Sequence, residues 1–343
     1  MKVSFLVTYY NQEQFVRNSI ESLLAIEKPK EWEILVGDDG SDDGTVEIVK
    51  EYISLYPYNI FLYVMPRDNK KNYYSVTRAS ENRLNLLKHS TGDYFCILDG
   101  DDYYCDKNFI TEALNIFESN KALSVVGFNF KYVYPSYEVK NKLGKFPDMC
   151  SREINVYEYI RRYYTPAAAC VFKKCFGKER IEYIKSAGAF DDNTIVMNNL
   201  NFGGFYLINK PILAYRQTEG SVYNSMGELE QAVLNCYGYD ILKNYLEEEF
   251  AEAVLYRNRY AIMKTFVWRN ELKNLLGHNY NKYLAIAKDT RNSLLYKILN
   301  FNKSNCTEKD DTEKVIRKLK LMGIKECINM QIKYWIYRFK SKF

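Results

Sequence analysis

Through residue 117 the chain alternates short apolar runs with amphipathic stretches, and that alternation narrows the fold more than any other feature. Residues 3–7, 33–36, 60–64 and 94–98 read as strands; residues 12–24, 45–56, 76–89 and 108–117 read as helices, the first from its apolar positions Phe15, Ile20, Leu23 and Leu24. Strand and helix alternating at this spacing build a parallel sheet covered on both faces. Ligands of such sheets bind beyond the carboxyl ends of the strands. The loops that fall there carry Thr8, Tyr10 and Asn11, then Asp38, Asp39 and Ser41, then Asp99, Asp101 and Asp102.

The last of these loops places three carboxylates within four residues, directly after a buried-type strand. Clustered carboxylates repel one another, and two readings are open. One is a site for a hard cation such as Mg²⁺ or Mn²⁺ that keeps positions for a substrate's phosphates. The other is a solvated acidic turn that caps the following helix. A solvated turn does not account for the other polar loops falling on the same sheet edge.

The chain is 343 residues long, with room for one large α/β domain plus an appendage, or two medium domains. It has two histidines, His89 and His278, which argues against zinc metalloproteases and weakens any Ser-His-Asp hydrolase reading. His89 falls late in a helix and suits a dipole partner at its C-terminus. Eight cysteines show no paired or zinc-type spacing, and no leader is visible at residues 1–5, so reduced cytosolic thiols are expected. No apolar window long enough to span a bilayer is present.

Beyond residue 125 the pattern loosens. Residues 125–130 read as a strand, 132–149 as a long loop or hairpin, and 167–172 as a further apolar run. Helical character returns from 228, which places a domain boundary near 225. Of the net charge of +5, the segment 314–343 holds nine Lys/Arg against one acid, Glu326, so the remainder is mildly acidic. Its end, 333–340, alternates bases with aromatics. A basic amphipathic helix there suits an anionic membrane surface, a homodimer contact or a plain solvated face; nucleic acid is disfavoured by the acidic body.

Taken together, residues 3–11, 33–45 and 91–102 resemble the family 2 glycosyltransferases of GT-A fold, and the order of their motifs, which is the family's, carries the resemblance. It is dense over the first 110 residues and thinner to about 225. It implies a Rossmann-like, mostly parallel α/β sheet in a domain over 1–225, with a nucleotide-binding half at 1–110 and an acceptor half at 111–225. A helical C-terminal region would follow at 226–343. It further implies transfer of a hexose or N-acetylhexosamine from a UDP-sugar with inversion, assisted by Mn²⁺ or Mg²⁺. The acceptor would be a saccharide, free or lipid-linked, in bacterial surface-glycan assembly such as capsule or lipooligosaccharide. The place would be the cytoplasm or the inner face of the cytoplasmic membrane.

Residue by residue, the resemblance puts Thr8 and Tyr10 beneath the base, Tyr10 stacking on it, and has Asp39 accept the uracil N–H. Asp99 would face the ribose, Asp101 would ligate the metal, and Asp102 would either join it or brace the loop. Asp192 is nominated as general base with Asp191 as its neighbour, and Arg78 and Arg216 as phosphate contacts. Plainer roles stay open: Asp39 suits a capping turn, Asp192 the N-cap of a helix over 193–200, and Arg216 a surface salt bridge. Three departures from the family pattern stand out. No histidine lies in the loop around Arg216, the family's Asn-x-Gly followed by Ala-Arg-Asn is degraded at residues 72–75 and 78–82, and the QxxRW motif of processive synthases is absent, which favours addition of a single sugar. Two other functions remain: a catalytically silent nucleotide-sugar-binding or scaffolding subunit, and a sugar-phosphate nucleotidyltransferase. The second is disfavoured because residues 8–14 hold neither glycine nor arginine.

Overall fold

A computed structural model describes residues 1–68, 75–134, 151–155, 158, 159, 163, 165–187 and 191–218. All belong to the first of two compact units, Met1–Val222 and Tyr223–Phe343. The helical region expected from 226, the basic tail, and most of the loop expected at 132–149 lie outside the described residues.

The expected alternation is present. Strands β1 (Lys2–Tyr9), β2 (Glu31–Asp38), β3 (Ile60–Val64) and β4 (Tyr94–Asp99) alternate with helices α1 (Glu13–Leu24), α2 (Thr45–Leu55), α3 (Ser75–His89) and α4 (Phe109–Ser119), the two-residue β5 (Tyr103–Tyr104) following β4. Val3, Phe5, Val7 and Tyr9 share a core with Val16, Ile20 and Leu23 of α1 and with Val49 and Tyr52 of α2. Leu6 and Leu35 fall on the opposite face by the two-residue period of a strand and are equally buried. Helix α3 packs against β1 and β2. Burial on both faces explains why these strands read as continuous apolar runs.

The second half of the sheet contains β6 (Leu123–Val133), β7 (Arg152–Ile154), β8 (Cys170–Lys173) and β9 (Gly204–Arg216), with α5 (Lys178–Ala187) and α6 (Asp192–Leu200) between β8 and β9. Strand order among the described residues is β3-β2-β1-β4-β8-β6-β9-β5, with β7 on β9. β1 to β4 pair in parallel; β8 runs antiparallel to β4 and β6, and β9 runs parallel to β6. The carboxyl ends of β1, β2, β4, β6 and β9 therefore lie on one edge.

Two features depart from expectation. β6 continues to Val133, past the loop expected from 132, because β9 pairs with it up to Val133↔Arg216. β9 itself is hidden in the sequence by Pro211, which cannot donate to a ladder. The register shift from Phe128↔Ile208 to Asn129↔Pro211 absorbs that proline as a bulge, and Asn129 Nδ2 bonds Asn209 Oδ1 at 2.9 Å.

At the amino edge of the sheet, buried Glu33 accepts hydrogen bonds from the Ser4 hydroxyl (2.6 Å) and the Thr91 N–H (2.6 Å), with Lys2 Nζ 3.0 Å away. Burial alone would raise its pKa; the bonds from Ser4, Thr91 and Lys2 outweigh burial and hold it below the ordinary value. A lowered carboxyl pKa stabilises the fold above the unfolded value, and that stability is lost as pH falls through the folded one. Glu33→Gln should therefore lower Tm at pH 7 by several degrees, from about 1–3 kcal/mol of lost charge-assisted bonding. Thermal melts of both proteins should converge as pH falls below the ordinary glutamate range and Glu33 itself becomes protonated.

Candidate functional site

The parallel register assembles the site. Thr8 of β1 stands opposite both Gly37 of β2 and Asp99 of β4, so the polar loops that follow these strands begin side by side. Beyond β1, Asn11 adopts positive φ (49°), and its Oδ1 accepts the Asp42 N–H. Beyond β2, Asp38 builds the turn: its carboxylate accepts the N–H groups of Gly40 and Ser41 at 2.9 and 2.8 Å, and Gly40 takes φ of 74°. Beyond β4, Gly100 N–H bonds Thr8 O and Asp102 N–H bonds Asp99 O, closing the acidic turn. A Cβ on Gly100 would lie 2.2 Å from the buried Tyr9 ring, so the turn needs glycine there.

Asp39 is 5% exposed and held by two arginines. Arg67 reaches its carbonyl (Nε, 2.6 Å) and Oδ2 (2.5 Å), while Arg78 Nε donates to Oδ1 at 2.6 Å. The Arg67 guanidinium also lies 3.8 Å over the Tyr10 ring, whose residue is 44% exposed. Arg78, nominated as a phosphate contact, engages Asp39, Pro66 O and Glu81. Its position early in α3 aims it at the β2 loop, and a sequence without the sheet order could not show that.

In the acidic turn the three carboxylates part ways. Asp99 Oδ1 accepts from Arg83 (2.6 Å) and lies 3.5 Å from the Thr8 hydroxyl. Asp101 Oδ2 lies 3.3 Å from the Thr218 hydroxyl, and burial followed by the charge of Asp99 raises its pKa. Asp102 is 2% exposed and turned inward, its Oδ1 accepting the Arg216 N–H at 2.8 Å. Burial, then Asp101 and Asp99, push its carboxyl well above the ordinary range. Its geometry is that of a loop brace, one of the two roles the resemblance left open for it.

Arg216, nominated as a phosphate contact, is likewise part of that brace. It donates to Asp101 O (2.6 Å) and Asn18 Oδ1 (2.7 Å), and its guanidinium sits between the rings of Phe15 and Tyr103 at 4.9 and 4.7 Å. Fixed in this way, it ties the end of β9 to the acidic turn.

The downstream acidic pair divides its labour. Asp191, and not Asp192, is the N-cap of α6: its Oδ1 accepts the Thr194 N–H at 3.1 Å and the Thr194 hydroxyl accepts the Asp191 N–H, a reciprocal capping box. Asp192 is therefore released from capping. Its Oδ1 accepts the Ala167 N–H at 3.0 Å. Burial, then Asp99, raise its pKa, Arg83 opposes them, and the result is about 6.

Reading the sequence missed Arg67 and Arg83. Arg83 is mostly buried, donates to Asp99, and lies within electrostatic reach of Asp192 and Asp191. The available signal was a basic residue directly after Asn82, on a helix whose Leu84, Leu86 and Leu87 are buried. Arg67 follows β3 in a loop with no local pattern.

Among the described residues no three His, Cys, Asp or Glu side chains form a ready metal cage. Asp101 does fit a hard divalent cation that takes its other oxygens from a ligand. It offers carboxylate oxygens, and its negative charge is disfavoured where it stands by burial and by Asp99. No helix among the described residues is long and apolar enough to cross a membrane.

A parallel sheet continued by mixed strands, with an acidic turn after its fourth strand, defines a GT-A-type α/β fold. Residues 4–178 match the profile of glycosyl transferase family 2, and the chain belongs to that family. It is 35% identical to EpsE of Bacillus subtilis (strain 168) over 126 residues, 37% of this chain and 42% of that one. It is 25% identical to glycosyltransferase AglE of Haloferax volcanii over 137 residues, 39% of this chain and 41% of that one. The chain thus covers less than half the length of these curated relatives. The crystal structure of S. aureus TarS 1-349 in complex with UDP-GlcNAc shares the fold, with a TM-score of 0.59 at 16% identity over 95% of this chain and 89% of that one.

Proposed function

We propose that the chain is an inverting, divalent-metal-dependent glycosyltransferase that moves one sugar from a UDP-sugar to a saccharide acceptor. The observation that carries this reading is the contrast between the two edges of the sheet. Glu33 at the amino edge is neutralised by its partners, whereas Asp101, Asp102 and Asp192 at the carboxyl edge stay under burial and mutual repulsion. Carboxylates kept at such a cost in a ligand-binding edge are candidates for chemistry.

In this reading Thr8, Tyr10 and Asp39 receive the uridine base and Asp99 the ribose. Mn²⁺ or Mg²⁺ on Asp101 would offset the charge that develops on the departing UDP. Asp192 accepts the proton of the acceptor hydroxyl while its oxygen forms the new bond to the anomeric carbon from the face opposite the diphosphate. The anomeric carbon–oxygen bond to UDP breaks, and UDP leaves with the electron pair. The UDP-GlcNAc bound to TarS, a chain of the same fold, supports a UDP-sugar donor.

Domain organisation follows the same proposal, with a catalytic body over 1–225 and a helical region over 226–343. The basic tail of that region would meet the cytoplasmic membrane surface or a second copy, consistent with a lipid-linked acceptor in surface-glycan assembly. Slow donor hydrolysis tests the reading without an acceptor. With Mn²⁺, one member of a panel of UDP-sugars should release UDP, and EDTA should stop it. Binding of UDP with no release from any donor would indicate a silent binding subunit. Pyrophosphate formed from UTP and a sugar phosphate would indicate a nucleotidyltransferase.

A further inference from the structure

Arg83 stands where the two halves of the site meet. It projects from α3, is 13% exposed, and its guanidinium donates to Asp99 Oδ1 at 2.6 Å. The charges of Asp192 and Asp191, at the start of α6, also reach it. We propose that Arg83 is a positioning residue shared by both ends of the site, orienting the Asp99 carboxylate on the donor side and supplying the positive charge against which Asp192 stands as a carboxylate on the acceptor side. The inference rests on the glycosyl-transfer reading for its consequences and starts from the Arg83–Asp99 ion pair.

The surroundings of Asp192 make that charge matter. Asp99 from β4, Asp102 from the acidic turn, Tyr215 from β9, Cys170 from β8 and Asp191 from its own helix all interact with it electrostatically, and each is neutral or negative. Arg83 is the cation that counters them in this set, and the Ala167 N–H adds a hydrogen bond. A guanidinium suits the post because it stays charged when desolvated and can serve two carboxylates from different edges of its plane. One consequence is coupling: a change that moves Asp99 on the donor side also alters the field at Asp192.

The test uses the full chain with ¹³Cγ-labelled aspartate, the Asp192 signal being identified by its loss in Asp192→Asn. In Arg83→Met the Asp192 titration midpoint should move up by at least about one pH unit, the usual effect of removing a nearby opposite charge. In Arg83→Lys it should stay close to wild type, while UDP affinity measured by calorimetry falls in both variants because an ammonium cannot reproduce the guanidinium's grip on Asp99. Arg83→Gln replaces the Met variant if that one does not fold. In hydrolysis assays, the acidic limb of the Arg83→Met rate profile should shift by the same amount, with activity partly regained at high pH. An unmoved Asp192 midpoint in a folded, neutral Arg83 variant, or a rate loss equal at every pH, would overturn the proposal. Absence of turnover with every UDP-sugar, alongside a shifted Asp192 midpoint, would refute the glycosyl-transfer reading and leave the Arg83 inference standing.

Discussion

Asp192→Asn should bind UDP as tightly as the wild type and turn over at least about 100-fold more slowly, the usual contribution of a positioned general base. Asparagine keeps the oxygen that accepts the Ala167 N–H (3.0 Å in the native chain), so local packing survives and the loss belongs to the proton transfer. Asp191 caps α6, so the substitution leaves the helix start intact. The pH profile gives a second check. Asp192 has a pKa of about 6, and only its ionised form accepts a proton. Wild-type turnover should therefore fall as pH drops through about 6, nearing tenfold per unit below it, and the residual activity of Asp192→Asn should lack that limb. Full activity in Asp192→Asn would show that the base lies elsewhere.

Asp101→Ala should abolish the metal dependence of UDP binding and lower kcat/KM by at least about 100-fold, since a Lewis acid on a leaving diphosphate contributes several kcal/mol. Calorimetric titration of UDP with and without Mn²⁺ reads the first effect directly: the gain produced by the ion in wild type should vanish. Folding should be unaffected or improved, because Asp101 carries a carboxyl raised by burial and by Asp99. Asp102→Ala, by contrast, removes the acceptor of the Arg216 N–H and should loosen the turn itself. A Mn²⁺ effect that survives in Asp101→Ala would move the ligand to another oxygen of the site.

How much of this was legible depends on how local each signal is. The four parallel strands and their helices were readable to within about two residues because periodicity encodes burial, as in α1, where Val16, Ile20 and Leu23 share one face. That order places the loops after β1, β2 and β4 on one edge whatever the side chains do. β9 was not readable: Pro211 breaks its pattern, and pairing with β6 through a bulge, with β5 and β7 also paired to it, holds it as a strand. The roles of Arg78 and Arg216 were legible as basic residues near the site but not as partners of Asp39 and of the acidic turn. Both partners lie in distant parts of the chain.

The sequence by itself determined the family, the parallel α/β core and the roll of acidic residues at its carboxyl edge. Each of these follows from residue type, spacing and order. Tertiary structure decided which carboxylate does what. It capped α6 with Asp191 and left Asp192 for other work, turned Asp102 inward onto Arg216, and paired Arg83 with Asp99 within reach of the Asp192 charge. The physical reason is that a carboxylate's role depends on its solvation and on the charges around it. Those are supplied by elements as far apart in sequence as β1, α3, α6 and β9.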